Sequence, residues 1–170
     1  MSEQMQAKGR PRQAERTVGG ASPDGADTRR PDVDLLGRVP LFASLSRAHR
    51  RRIGALTEDG VYHAGRVIVR RDDPGKALYV IVDGLAKVVR GKIVTAQAEA
   101  ELGPGDFFGE LALLDGGPRA ATVVAATPIR AIRIQRSAFR RLLREEPEIA
   151  LKVLEGMAGR RRTILATRSV

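Results

Sequence analysis

One stretch of the chain gathers residue types suited to an anionic ligand. It runs Phe108-Gly109-Glu110-Leu111-Ala112-Leu113-Leu114, then Asp115-Gly116-Gly117, then Pro118-Arg119-Ala120-Ala121-Thr122-Val123. Gly103, Gly105 and Gly109 let the backbone turn tightly and approach a ligand closely. Glu110 to Leu114 is a good short helix former, whose first N–H groups have no intrahelical partner and favour negative charge. Arg119 lies across a Gly-Gly turn from that point and carries a fixed fork of donors matched to phosphate. Ala120 and Ala121 are small enough to leave their backbone N–H groups unobstructed. Glu110 is an acceptor and needs a hydroxyl donor, which a ribose 2′-OH supplies. Phosphate and sugar hydroxyl together describe a nucleotide whose phosphate lies close to its ribose.

Such a site needs elements to hold it. A helical lead-in at Leu35–Leu36 is broken at Pro40, and Ser46 caps a second helix running to about Leu56, with Leu45 before the cap and Ile53 and Leu56 on one face. Short strand-like runs follow at Val61–His63, Val67–Val69, Leu78–Val82, Leu85–Val89, Glu99–Leu102, Thr122–Ala125 and Ile129–Ile134. Turn signals separate them, including Gly65, Asp73-Pro74-Gly75, Gly103-Pro104-Gly105 and Thr127-Pro128. Asp83-Gly84 between two apolar runs predicts a tight hairpin. Ile132 and Ile134 alternate with Arg133 and Gln135, the pattern of an edge strand. Past Ser137 the period turns helical, with Phe139, Leu142 and Leu143 on one face. Pro147 stands where a further helix would begin, and Ile149, Ala150, Val153, Leu154, Met157 and Ala158 keep helical spacing. The order predicts an α+β protein: an antiparallel β jelly-roll barrel (double-stranded β-helix) flanked by N-terminal and C-terminal helices.

Composition narrows the function. The 170 residues carry 30 Lys+Arg against 20 Asp+Glu, a net charge of +10, and are 42% hydrophobic. The charge first suggests nucleic acid. Much of it sits in three arginine clusters on expected helices: 47/50/51/52, 136/140/141/144 and 160/161/162. These read as solvated faces, or as a surface for nucleic acid or an acidic partner. The absence of cysteine excludes disulfides, thiolate zinc sites and cysteine nucleophiles, and two histidines argue against a histidine metal centre. His49 and His63 read as exposed polar residues, and Met157 as core packing. With no Trp, two Tyr and four Phe, an aromatic platform for single strands is poorly supplied. Residues 1–31 hold many Gly and Pro, with Val18 as their one branched aliphatic, and are expected to form a disordered tail ahead of a domain over 32–170. No apolar run approaches membrane-spanning length and no signal-peptide core is visible, so a cytoplasmic protein is expected.

The string Phe108 to Val123 resembles the phosphate-binding cassette of the cyclic-nucleotide-binding domain family, shared by bacterial catabolite activator proteins, regulatory subunits of cAMP-dependent protein kinase and cyclic-nucleotide-gated channels. Val39-Pro40-Leu41-Phe42, Leu78-Tyr79-Val80-Ile81-Val82-Asp83-Gly84 and Gly105-Asp106 extend the resemblance over about Leu35 to Met157. It implies that Glu110 binds the ribose 2′-OH and that Arg119 neutralises the cyclic phosphate. The N–H groups of Leu111, Ala112 and Ala120 would hold phosphate oxygens, with Gly109 against the ribose. The base would lie against Val69 and Leu78, with Ala121 and Thr122 near it. In the family a threonine directly after the arginine can hydrogen-bond the guanine amino group; Ala120 stands there, which favours cAMP over cGMP.

These readings converge on a non-enzymatic cAMP sensor with no cofactor or metal. Residues 137–165 would close over the base as a lid and signal to a separate protein effector, whose identity the sequence does not give. No DNA-reading domain is expected after the barrel, and both monomer and homodimer stay open. Two readings compete: a basic protein- or nucleic-acid-interaction module that keeps the barrel as scaffold, and, far behind, a jelly-roll enzyme.

Overall fold

The computed structural model describes residues 33–90 and 98–167; the tail expected over 1–31 lies outside them. Two short helices come first, α1 (Val33–Arg38) and α2 (Arg47–Gly54). Ser46 caps α2 as its sequence predicts, its hydroxyl accepting the His49 N–H at 3.1 Å. His49 itself is half-buried rather than exposed. Eight strands follow, interrupted by one helix: β1 (Thr57–Tyr62), β2 (Val67–Val69), β3 (Ala77–Asp83), β4 (Ala86–Val89), β5 (Ala100–Leu102), β6 (Phe107–Phe108), α3 (Glu110–Leu114), β7 (Thr122–Ala125) and β8 (Ile129–Gln135). The described residues end in α4 (Arg136–Glu145) and α5 (Pro147–Thr167), with Pro147 at the first helical position.

The strands form two antiparallel four-stranded sheets, β1-β8-β3-β6 and β2-β7-β4-β5. Two apolar clusters follow from the alternation of β3 and β8. Leu78, Val80, Ile132 and Ile134 face the helices, packing with Phe42, Phe107, Phe139, Ile149 and Val153. Ala77, Tyr79, Ile81, Ile129 and Ala131 point the other way, joining Ile68, Val69 and Val123 of the second sheet. Met157 packs against the helix-side cluster as expected. Leu154 does not: half of it is exposed, because α5 turns its Ile149, Val153 and Met157 stripe inward and Leu154 lies off that stripe.

Two expectations about strand pairing are also corrected. Asp83-Gly84 does not close a hairpin. β3 pairs with β8 and β6, while β4 pairs with β7 and β5, so the turn carries the chain from one sheet to the other. Gly84 adopts φ +87 with its α-carbon against the Pro128 carbonyl, and the Leu85 N–H donates to Thr127 Oγ1 at 2.9 Å. Nor is β8 an edge strand, since it lies between β1 and β3. Its arginines sit in an interior strand because β1 supplies carboxylates beside them. Arg130 Nε donates to the buried Asp59 at 3.0 Å, and Arg133 Nη1 donates to Glu58 at 3.2 Å.

Candidate functional site

Arg119 is held before its side chain does anything. Its N–H donates to the Asp73 carbonyl at 2.9 Å and its carbonyl accepts the Asp72 N–H at 2.9 Å, fixing it against the β2–β3 loop. A bridge between Pro74 and Pro118 continues that pairing. The side chain then runs inward and the residue is only 4% exposed. Nη2 donates to the Ala77 carbonyl at 2.8 Å, and Nη1 makes a longer contact of 3.4 Å with the Gly109 carbonyl. The guanidinium stands 5.8 Å from the centroid of the Tyr79 ring, which stacks on Phe108 at 5.0 Å.

Among the described residues Arg119 forms no ion pair, so it is a buried cation held by carbonyl dipoles and the Tyr79 ring. Burial lowers its pKa, while Tyr79 and Glu110 draw it back up. Arginine nonetheless stays charged at any physiological pH. Tyr79 moves upward for the same leading reason, burial, with the neighbouring Arg133 and Arg119 pulling it down.

Gly109 makes this arrangement possible. It precedes α3 at φ +88, a conformation that side chains rarely adopt. A β-carbon there would collide with Arg119 Nη1 and stand 2.8 Å from the Ala77 carbonyl. Glu110 follows as the first residue of α3, half-buried, with the N–H groups of Leu111 and Ala112 in the same first turn. The structure thus brings Gly109, Glu110, Leu111, Ala112 and Arg119 to one place.

The base-side residues are more scattered. Ala120 is exposed and Ala121 half-buried. Thr122 is buried, and its hydroxyl already accepts the Arg71 N–H at 3.0 Å. Val69 lies in the cluster between the two sheets. Leu78 is a correction: it is fully buried on the opposite face of β3, among the helix-side residues, because successive strand residues point to opposite faces. Its neighbours Ala77 and Tyr79 face the site instead, one by its carbonyl and the other by its ring. Neither was singled out from sequence. The parity of β3 was the available signal, but the five buried residues from Ala77 to Ile81 hide it. Among the described residues, no group of three or more His, Cys, Asp or Glu is placed to hold a metal, and no helix is long and apolar enough to cross a membrane.

A family model for the cyclic nucleotide-binding domain matches residues 60–146, a range that contains the whole of this site. The chain belongs to that family. It is 38% identical over 115 residues to a cAMP-dependent protein kinase regulatory subunit of Colletotrichum orbiculare, an alignment covering 68% of this chain and 29% of that one. The chain therefore spans under a third of the length of that relative. Among solved structures it superposes on the N-terminal domain of a transcriptional regulator from Streptomyces coelicolor A3(2), with a TM-score of 0.66 and 32% identity over 79% of this chain and 95% of that one. It also superposes on the regulatory domain of Toxoplasma gondii PKA crystallised with cAMP, with a TM-score of 0.64 and 25% identity over 75% and 48% of the two chains. This is a cyclic nucleotide-binding domain, similar to domains of regulatory proteins, one of them crystallised with cAMP.

Proposed function

We propose that this domain is a cAMP sensor, with Arg119 as the phosphate ligand and Glu110 as the ribose ligand. The observation that carries the reading is the buried Arg119 guanidinium, which has carbonyl acceptors but no ion pair among the described residues. A buried charge left in that condition is costly, and an arriving phosphate relieves it. The N–H groups of Leu111, Ala112 and Ala120 add donors around the phosphate, and Gly109 leaves room for the ribose. Ala121, Thr122 and Val69 border the base. The alternation of sequence-distant strands in the two sheets supports a jelly-roll barrel as the frame.

The output is a movement of α4 and α5, and regulation rather than catalysis is the role. Arg136, at the start of α4, packs its guanidinium against Gly116 in the loop after α3, so the cassette and the C-terminal helices touch. Leu111 and Leu114 on α3 and Leu151 and Leu154 on α5 are exposed, apolar surface that a closing lid would cover. A separate protein would read the closed state, whose free energy is the difference in cAMP affinity between open and closed forms.

Hydrogen exchange of the full chain with and without cAMP tests both parts. The reading predicts slower exchange at residues 109–120 and altered exchange along 147–158. Unchanged exchange over 109–120 at saturating cAMP would overturn the site; change confined to 109–120 would overturn the lid.

A further inference from the structure

A cluster of cations lies beside the cassette, most of it on α4. A cleft of about 610 Å³ opens between the start of β3 and the first turns of α4, lined by Lys76, Gln135, Arg136, Ser137, Arg140 and Arg144. None of its lining residues is acidic. Lys76, Arg140 and Arg144 are exposed, and among the described residues none of the four cations forms an ion pair. Elsewhere on α4 the charge is balanced, since Arg141 stands 4.0 Å from Glu145. The Arg136 Nε is buried and makes no hydrogen bond among the described residues. This open cleft therefore gathers positive charge with no carboxylate in its lining among the described residues.

We propose that this cleft docks an extended acidic segment of a partner protein. Arg136, Arg140 and Arg144 follow one another at four-residue steps, so they form a row with a rise of about 6 Å per step along the helix. Alternate side chains of an extended chain recur every ~6.6 Å on one face. Carboxylates two positions apart in such a segment meet the exposed Arg140 and Arg144, with Lys76 on the facing wall and the half-buried Arg136, whose guanidinium packs on Gly116, at the end of the row. Nucleic acid matches the cleft less well. The lining holds no aromatic residue on which a base could stack. The chain's own tail is no better occupant, since residues 1–31 carry six basic residues against four acidic ones. The proposal stands whether or not the cassette binds a nucleotide.

Fluorescence anisotropy of the full chain tests it. The probes are a short labelled peptide alternating Glu and Ser, a matching peptide of Lys and Ser, and a single-stranded oligonucleotide of the same charge as the acidic peptide. The acidic peptide is expected to saturate at low salt, to weaken as salt rises, and to bind more tightly than the oligonucleotide. Arg140→Glu with Arg144→Glu, both exposed, is expected to weaken it by about tenfold or more and to gain affinity for the Lys–Ser peptide. No saturable binding of the acidic peptide, equal affinity in the double variant, or tighter binding of the oligonucleotide would each overturn the proposal. A cAMP titration of the same variant keeps the two sites apart: unchanged nucleotide affinity locates any loss in the cleft.

Discussion

Arg119 Nη2 donates to the carbonyl of Ala77 at 2.8 Å, joining residues 42 positions apart in the chain. That bond holds the guanidinium at the first residue of β3, beneath Gly109 and over the Tyr79 ring. The next carbonyl back, that of Lys76, accepts the first N–H of α4 from Arg136 at 2.8 Å. The adjacent carbonyls of Lys76, just before β3, and Ala77, its first residue, thus serve the first residue of the C-terminal helices and the arginine proposed as the phosphate ligand. A shift of Arg119 toward a phosphate loosens the first of these, and the second is one peptide away.

Gly109→Ala is expected to damage both stability and binding. A side chain at φ +88 costs about 1–2 kcal/mol, and the new methyl meets Arg119 Nη1 and the Ala77 carbonyl. A lower denaturant midpoint together with cAMP binding weakened about tenfold or more is the expected result. A variant with unchanged midpoint and affinity would show that the arginine has another resting place.

Glu110→Gln isolates the ribose contact. Charge-assisted hydrogen bonds are roughly twice as strong as neutral ones, so cAMP is expected to bind several-fold more weakly. The 2′-deoxy analogue has no hydroxyl to offer, and the substitution should leave its affinity nearly unaltered. Equal losses for the two ligands would remove Glu110 from the ribose.

Ala120→Thr is expected to narrow any preference for cAMP over cGMP. One neutral hydrogen bond is worth about 0.5–1.5 kcal/mol, or roughly 2- to 13-fold in relative affinity. Ala120 is exposed, so the added side chain meets no core residue. Competition of each nucleotide against a fluorescent cyclic nucleotide reads the ratio, and an unchanged ratio would place the base elsewhere.

Much of this was legible from residue order alone. Ser46, Pro147 and the Glu110–Leu114 helix fall where their local chemistry puts them, and β2 and β7 match their expected bounds. The hairpin, edge-strand and β1 failures share a cause: they depend on which strands pair. β1 begins at Thr57, ahead of the expected Val61, because Glu58 and Asp59 look like solvent residues until Arg133 and Arg130 meet them across the sheet. β6 is two residues between glycine-bearing turns, too short to show a period. At the site, Glu110 and Arg119 announce themselves by type and spacing. Tyr79 and the Ala77 carbonyl do not, since an aromatic in an apolar strand and a backbone oxygen carry no mark until Arg119 folds over them.

Calorimetric titration of the full chain with cAMP, beside Arg119→Ala, is the most direct test of the central claim. The native chain is expected to bind cAMP saturably. The variant, lacking a charge-assisted contact worth roughly 1.5–3 kcal/mol, is expected to bind about 10- to 150-fold more weakly. No binding of cAMP or cGMP by the native chain at about millimolar concentration, or equal cAMP affinity in the variant, would contradict the account.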